Sequence, residues 1–376
     1  MQAVDYLQEL IPFSTVSSES NGLISERIAD WLVRLGFETE RIDYQDGNGV
    51  QKTCVQCRKG PVSGDGLAYF CHTDVVPVTS WSFPESGPWT PYITNGRIYG
   101  RGSCDMKGSL CCMLAAIAAL KSTPLKAPLY FVATADEEVG MAGARKVVAR
   151  SAIYREIVAA QTRSIIGEPT CLQVVHAHKG GRTLRVTSIG RAAHSSTGLG
   201  LNANIALIPF LNEVGNVYRE MESSVAWRDE RFSPPTPTLN ILIADSNTGV
   251  NITSAKSQCT LYFRPMPGQD ADGMVSRLKT LADSCGLQFE LLFSGAPLFT
   301  APETPFIREL LDLTAQSVSR TVPYGTDGAV FTELRNVAVL GPGDIAQAHT
   351  DDEWISLEQL EKGTRLYEQA IRRWCC

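Results

Sequence analysis

The tightest constraint on the fold is an abrupt change of chemistry inside one short segment. Leu129-Tyr130-Phe131-Val132-Ala133 has the apolar pattern of a buried strand, and it runs almost directly into Asp136-Glu137-Glu138. Buried ionised carboxylates cost several kcal/mol unless a cation or hydrogen bonds compensate them, so this run marks a charged site and not packing. Other strand patterns end in the same way. Leu67-Ala68-Tyr69-Phe70 leads to His72, and Ser164-Ile165-Ile166 leads to Gly167-Glu168. In open α/β sheets ligands gather beyond the carboxyl ends of the strands, which lets these loops converge on one crevice.

Strand and helix patterns alternate over the first ~170 residues, the signature of an α/β layer architecture with a largely parallel sheet. The N-terminal residues 1–11 read as an amphipathic helix, 106–121 as a helix with apolar residues on most faces, and 129–134 and 164–166 as strands. From residue 181 the texture changes. An alternating, half-buried strand over 183–189 is followed by a helix over 204–221, strands over 239–244 and 258–264, and a helix over 272–285. That order predicts an α+β insert with helices on one face of a mostly antiparallel sheet. α/β texture then returns, with a helix over 306–319, a buried strand over 337–340 and a closing helix over 355–374. A chain of 376 residues exceeds most single cores. The expected organisation is a discontinuous catalytic domain, residues 1–180 and 290–376, interrupted by a smaller domain over 181–289.

Composition narrows the function. The net charge of −6 is spread without blocks of one sign, which excludes a nucleic-acid partner held by a basic stripe. The apolar run over 110–120 suits a buried core helix and falls short of the roughly 20 residues a membrane span needs. No basic segment precedes an apolar one at the N-terminus, so a cytoplasmic location is expected. The eleven cysteines are scattered and form no disulfide framework, and Cys54-x-x-Cys57 lacks a second ligand pair nearby. Neither a Gly-x-Ser-x-Gly elbow nor a cysteine nucleophile motif occurs. A small-molecule substrate remains.

Only five histidines are present. His72 precedes Asp74 in His-Thr-Asp, where a carboxylate two residues on can hydrogen-bond the ring nitrogen that a metal does not use. His349 follows the strand over 337–340 and the turn Gly341-Pro342-Gly343-Asp344. Asp105 lies in the glycine-rich loop Gly100-Arg101-Gly102-Ser103-Cys104-Asp105 that enters a helix. With Glu138 and Glu168 these make two imidazoles and three carboxylates on loops at strand ends, enough for two metal ions and one bridging carboxylate. His176 and His178 alternate on a strand pattern and read as structural.

In order along the chain, the pieces match a known series. His72-Thr73-Asp74-Val75-Val76-Pro77, Trp89, Gly96-Arg97-Ile98-Tyr99-Gly100-Arg101-Gly102, Asp105-Met106-Lys107-Gly108, Asp136-Glu137-Glu138, Gly167-Glu168-Pro169 and His349 resemble the dinuclear-zinc amidohydrolase and exopeptidase family. That family includes acetylornithine deacetylases, succinyl-diaminopimelate desuccinylases, aminoacylases and carboxypeptidases G. Ala177-His178-Lys179-Gly180, Pro237-Thr238-Leu239-Asn240 and Gln347-Ala348-His349 resemble the acetylornithine deacetylase branch.

The resemblance implies a zinc-exopeptidase-like α/β fold with a lid or dimerisation domain as its insert. It implies two Zn2+ ions, for which Co2+ or Mn2+ can substitute. His72 and Glu168 would hold one ion, Glu138 and His349 the other, and Asp105 would bridge them. Asp74 would orient His72, and Glu137 would be the general base. His194 would stabilise an oxyanion across a homodimer formed through the insert. Asn251, Arg264 and Thr326 would contact substrate. The implied reaction is removal of an acyl group, in the first place acetyl from N2-acetyl-L-ornithine in arginine biosynthesis. A desuccinylase, general aminoacylase or carboxypeptidase is the alternative. Tyr324-Gly325-Thr326-Asp327-Gly328 continues as Ala329-Val330-Phe331, without the Arg usual in desuccinylases, which counts against a succinyl substrate, and it departs from the usual deacetylase loop as well. An inactive metal-binding or interaction protein on the same fold would be marked by loss of Glu137 or a ligand, and all these positions are filled.

Overall fold

The computed structural model describes every residue except Thr248. The chain divides into two compact units, one of Met1–Ala177, Phe299–Arg320 and Thr326–Cys376, the other of His178–Leu298 and Thr321–Gly325.

At the centre of the main sheet lie four parallel strands in the order Leu129–Thr134, Leu67–His72, Arg163–Ile166 and Val337–Val339. Leu67–His72 and Leu129–Thr134 are buried at every position, as their unbroken apolar sequences require. Antiparallel strands extend the sheet: Gln51–Lys59 and Glu38–Gln45 beside Leu129–Thr134, and Val175–His178 beside Val337–Val339. The helix Lys107–Ala119 is buried from Lys107 to Ile117 and packs against the helices Ala3–Leu10 and Leu357–Cys375. Its one core hydroxyl is satisfied. Ser109 Oγ lies 2.8 Å from both Tyr69 Oη and Tyr367 Oη, and Tyr367 donates to the Leu340 carbonyl at 2.8 Å.

One helix is shorter than its sequence pattern predicts. The helical pattern over 306–319 yields Pro305–Thr314, because Ala315 turns left-handed at φ 52° and Gln316 N–H closes the end on the Leu311 carbonyl at 2.9 Å. The Gln316 side chain then bonds Leu172 O and Val174 N, leaving no helical continuation.

The second unit is a four-stranded antiparallel sheet in the order Thr238–Asp245, Lys256–Arg264, Gly181–Ile189, Gln288–Gly295. Helices Ala203–Ser223 and Ala271–Ser284 cover one face. Leu184, Val186, Cys259, Leu261 and Phe263 are buried there with Leu207, Phe210, Val214, Met274 and Leu278. Each such side chain contributes about 1.5–3 kcal/mol of burial. Among the described residues no helix is long and apolar enough to cross a membrane.

Candidate metal centre

The parallel strands deliver their side chains to one place. His72 ends Leu67–His72, the turn after Leu129–Thr134 carries Glu137 and Glu138, and Glu168 follows Arg163–Ile166. Asp105 precedes the helix Lys107–Ala119, and His349, at φ 65°, follows Val337–Val339. These side chains form two donor groups, His72 with Asp105 and Glu168, and Asp105 with Glu138 and His349. Asp105 belongs to both. Its Oδ1 lies 3.1 Å from His72 Nε2, and its Oδ2 lies 3.4 Å from His349 Nε2. Glu168 approaches His72 Nε2 to 3.7 Å, and Glu138 approaches His349 Nε2 to 3.2 Å.

These spacings suit a metal. Four donors set tetrahedrally at zinc–ligand distances would lie about 3.4 Å from one another. The electrostatics agree, because the cluster is short of positive charge. Burial pushes the Glu137 and Glu168 carboxyls well above their ordinary range, and neighbouring carboxylates push them further. Glu138 is raised in the same way, by burial and by Asp105. His349 is held up at about 10 by hydrogen bonds to Asp105 and Glu138. Burial alone would raise Asp105, yet bonds from both imidazoles hold it below the usual carboxylate range. Crowded carboxylates beside imidazole nitrogens are what a divalent cation neutralises, taking the place of the protons that the rings otherwise hold.

The frame around the cluster departs from expectation at Asp74. Its carboxylate lies 3.7 Å from His72 Nδ1, while its main-chain carbonyl makes the 2.9 Å bond that fixes the ring. The carboxylate instead accepts from Glu137 N at 3.1 Å, Glu138 N at 3.3 Å and Ser17 Oγ at 2.7 Å. Asp74 therefore sets the turn bearing Glu137 and Glu138. Asp136 faces away from the cluster, at φ 59°, paired with buried Lys52 at 2.9 Å and Tyr44 Oη at 2.7 Å.

Asp327, unassigned from sequence, is buried beside the centre. Thr134 Oγ1 donates to it at 2.5 Å, and burial raises its carboxyl to about 7. Its neighbour Thr326 is buried and caps the short turn Asp327–Ala329 through a 3.0 Å bond from Gly328 N. A second residue passed over in the sequence, Glu353, is buried under the Asp105 loop. Its position four residues after His349, in Asp351-Asp352-Glu353, was the available signal.

His194, Asn251 and Arg264 belong to the second unit. His194 is exposed, its Nδ1 2.7 Å from Ser196 Oγ, and its segment pairs with that of Asn251 through a bridge to Ile252 and a 2.9 Å bond from Ser195 N to Asn251 O. Arg264 ends the strand Lys256–Arg264, with its guanidinium 4.6 Å from the Tyr262 ring centre.

A mixed α/β sheet whose loops gather two donor groups around one shared carboxylate defines a dinuclear metal hydrolase. The chain belongs to the Peptidase family M20/M25/M40, whose model matches residues 68–373. It is 30% identical to an acetylornithine deacetylase of Proteus mirabilis over 99% of this chain and 96% of the relative. An acetylornithine deacetylase of Pasteurella multocida is 31% identical, covering 97% and 96%. In fold the chain is similar to the crystal structure of an M20 family metallo-carboxypeptidase from Sulfolobus solfataricus, with a TM-score of 0.80 at 18% identity, covering 100% of this chain and 99% of that one.

Proposed function

We propose that the protein is an amide hydrolase that converts N2-acetyl-L-ornithine and water to L-ornithine and acetate, a step of arginine biosynthesis. The observation that carries the hydrolytic reading is the sharing of Asp105 by the two donor groups. The full-length likeness to acetylornithine deacetylases supports the substrate.

His72 and Glu168 would hold one divalent ion, Glu138 and His349 the other, and Asp105 would serve both; zinc fits this donor set, as do cobalt and manganese. Bound there, the ions would supply Lewis acidity, polarising the amide carbonyl and lowering the pKa of water. Glu137 accepts a proton from the water as its oxygen attacks the acyl carbon. It returns that proton to the leaving nitrogen as the C–N bond breaks, so that the amine departs with the carboxylic acid, whose remaining proton passes to the amine to leave carboxylate and ammonium. Burial, and after it the surrounding carboxylates, raise the affinity of Glu137 for the proton it must carry. Asp74 holds the base through its main-chain N–H.

Arg264 suits bidentate capture of the amino-acid carboxylate, with Asn251 and Thr326 as polar contacts, and His194 faces the oxyanion across a homodimer. The dimer reading is supported by the edge strand Thr238–Asp245, which exposes Leu242 and Ile243, and by Ile205 and Ile208 on the helix Ala203–Ser223. An exposed apolar edge is a template for antiparallel pairing with a second copy. The eleven free cysteines suit a reducing, cytoplasmic setting.

The test is hydrolysis of N2-acetylornithine, N-succinyl-diaminopimelate and a panel of N-acyl amino acids by metal-reconstituted protein, with a chelator control. Chelator-sensitive release of ornithine as the best activity is expected. A different best substrate would move the substrate and keep the chemistry, and chelator-resistant activity would overturn the metal reading.

A further inference from the structure

We infer that Glu353 is a positioning residue for the metal centre, acting on both ions through the backbone that presents Asp105. The inference rests on the metal reading above.

Glu353 is buried, and one carboxylate takes four donors. Its Oε1 accepts from Cys104 N at 2.8 Å and Asp105 N at 3.0 Å. Its Oε2 accepts from Gly102 N at 2.8 Å and from Arg101 Nη1 at 2.9 Å. The Glu353 carbonyl also accepts from Gly100 N at 3.0 Å. The loop Gly100–Asp105 contains two left-handed glycines, Gly100 at φ 153° and Gly102 at φ 79°, and no regular structure holds it. Four of its six amides, those of Gly100, Gly102, Cys104 and Asp105, bond Glu353, while Arg101 N bonds Pro88 O and Ser103 N bonds Gly100 O. Charge-assisted bonds of this kind are roughly twice as strong as neutral ones, and here they set the main chain from which the Asp105 side chain leaves.

The same short segment carries a ligand of its own. His349 stands four residues before Glu353, and the residues between are fastened by Ser82 N to Asp351 O at 2.8 Å and Ser80 Oγ to Asp351 Oδ2 at 2.5 Å. After Glu353 the chain pairs as Trp354–Ser356 with Arg97–Tyr99, immediately before the Asp105 loop. Segment 349–356 thus holds His349 at one end and the Asp105 loop at the other. It fixes the 3.4 Å approach of His349 Nε2 to Asp105 Oδ2. Since Asp105 serves both donor groups, loosening its backbone weakens both.

The rival account is that Glu353 only neutralises buried Arg101. Three variants separate the two: Glu353→Gln, the charge-balanced Glu353→Gln with Arg101→Met, and Glu309→Gln as a control. Glu309 is a part-buried carboxylate bonded to Arg163 and to Trp374 Nε1. Metal-stripped full-length protein is titrated calorimetrically with Co2+, and the visible cobalt spectrum is recorded. Wild type takes up two ions. Both steps weaken by at least about tenfold in Glu353→Gln and in the double variant, with altered cobalt absorption, while Glu309→Gln binds as wild type. The double variant, free of an unpaired buried cation, carries the test if the single variant does not fold. Wild-type affinities and spectrum in a folded Glu353 variant would overturn the inference, as would equal weakening in Glu309→Gln. Failure of wild type to bind cobalt would overturn the metal reading itself, an outcome distinct from a variant that matches a two-ion wild type.

Discussion

Replacing Lys52 by Met should be among the most damaging single changes in the chain, although Lys52 touches neither donor group. Lys52 and Asp136 are 1% and 2% exposed and 2.9 Å apart. Lys52 Nζ also donates to the Ser17 carbonyl at 2.6 Å and the Glu19 carbonyl at 2.7 Å. Methionine fills the volume but removes both donations and the ion pair, leaving Asp136 its hydrogen bond from Tyr44 and no paired cation. Removing one partner of a buried pair costs about 3–5 kcal/mol. For a unit of this size each kcal/mol moves the melting temperature by about 2–4 °C, so a loss near 4 kcal/mol lowers it by roughly 8–16 °C. The damage should reach catalysis, because Asp136 immediately precedes Glu137 and its left-handed turn aims this proposed base. The assay is thermal unfolding by circular dichroism of wild type, Lys52→Met, Asp136→Asn and the double variant. The double should be less damaged than the sum of the singles by about 2 kcal/mol, the coupling expected of residues in contact. A Lys52→Met melting point within about 3 °C of wild type, or strict additivity, would refute the reasoning.

Glu137→Gln should keep its metal content while turnover falls at least ~10²-fold, because only the proton carrier is lost; unchanged turnover, with metal measured by plasma emission, would remove Glu137 from that role. Glu138→Ala should lose the ion shared with His349, and two bound ions per chain in that variant would place the ligand elsewhere. Leu242→Lys combined with Ile243→Lys should turn a dimer into a monomer in sedimentation, and a monomeric wild type would end the dimer reading. Burial lowers His178 from 6.5 to about 4, so the folded state resists a proton that the unfolded chain accepts. The stability this group supplies is complete above pH 6.5 and declines by about 3 kcal/mol as pH falls toward 4. His178→Gln should abolish that share of the acid sensitivity, so the melting-temperature gap between the two proteins should change with pH; a constant gap would show otherwise.

The central strands were legible because Leu67–His72 and Leu129–Thr134 are buried on both faces and must be apolar throughout. Glu38–Gln45 was not, since only Ile42 and Tyr44 are buried in a strand of otherwise polar residues. Its strand character comes from pairing with Gln51–Lys59, which no local pattern encodes. The end of the helix Pro305–Thr314 was hidden for a similar reason. Ala315 has high helix propensity, yet distant partners of Gln316 stop the helix there.

The centre divides along the same line. His72, Asp105, Glu138, Glu168 and His349 could be picked out because imidazoles and carboxylates on loops at strand ends need a chemical reason to be there, and because in order along the chain they match a known family series. What their neighbours do could not, because much of it runs through main-chain atoms whose identity is the same at every position. Asp74 reaches His72 by a carbonyl and the Glu137–Glu138 turn by two amides, and Glu353 reaches Asp105 by an amide. The run Asp136-Glu137-Glu138 shows both halves of this. Three like carboxylates in sequence become, in the fold, an anchor on Lys52, a candidate base and a candidate ligand. A left-handed residue at Asp136 separates the first from the others, because reversing the chain there sends its side chain to Lys52 while Asp74 draws the next two amides toward the metal centre. Side-chain chemistry thus names the site, while its geometry is imposed by main-chain bonds between segments remote in sequence.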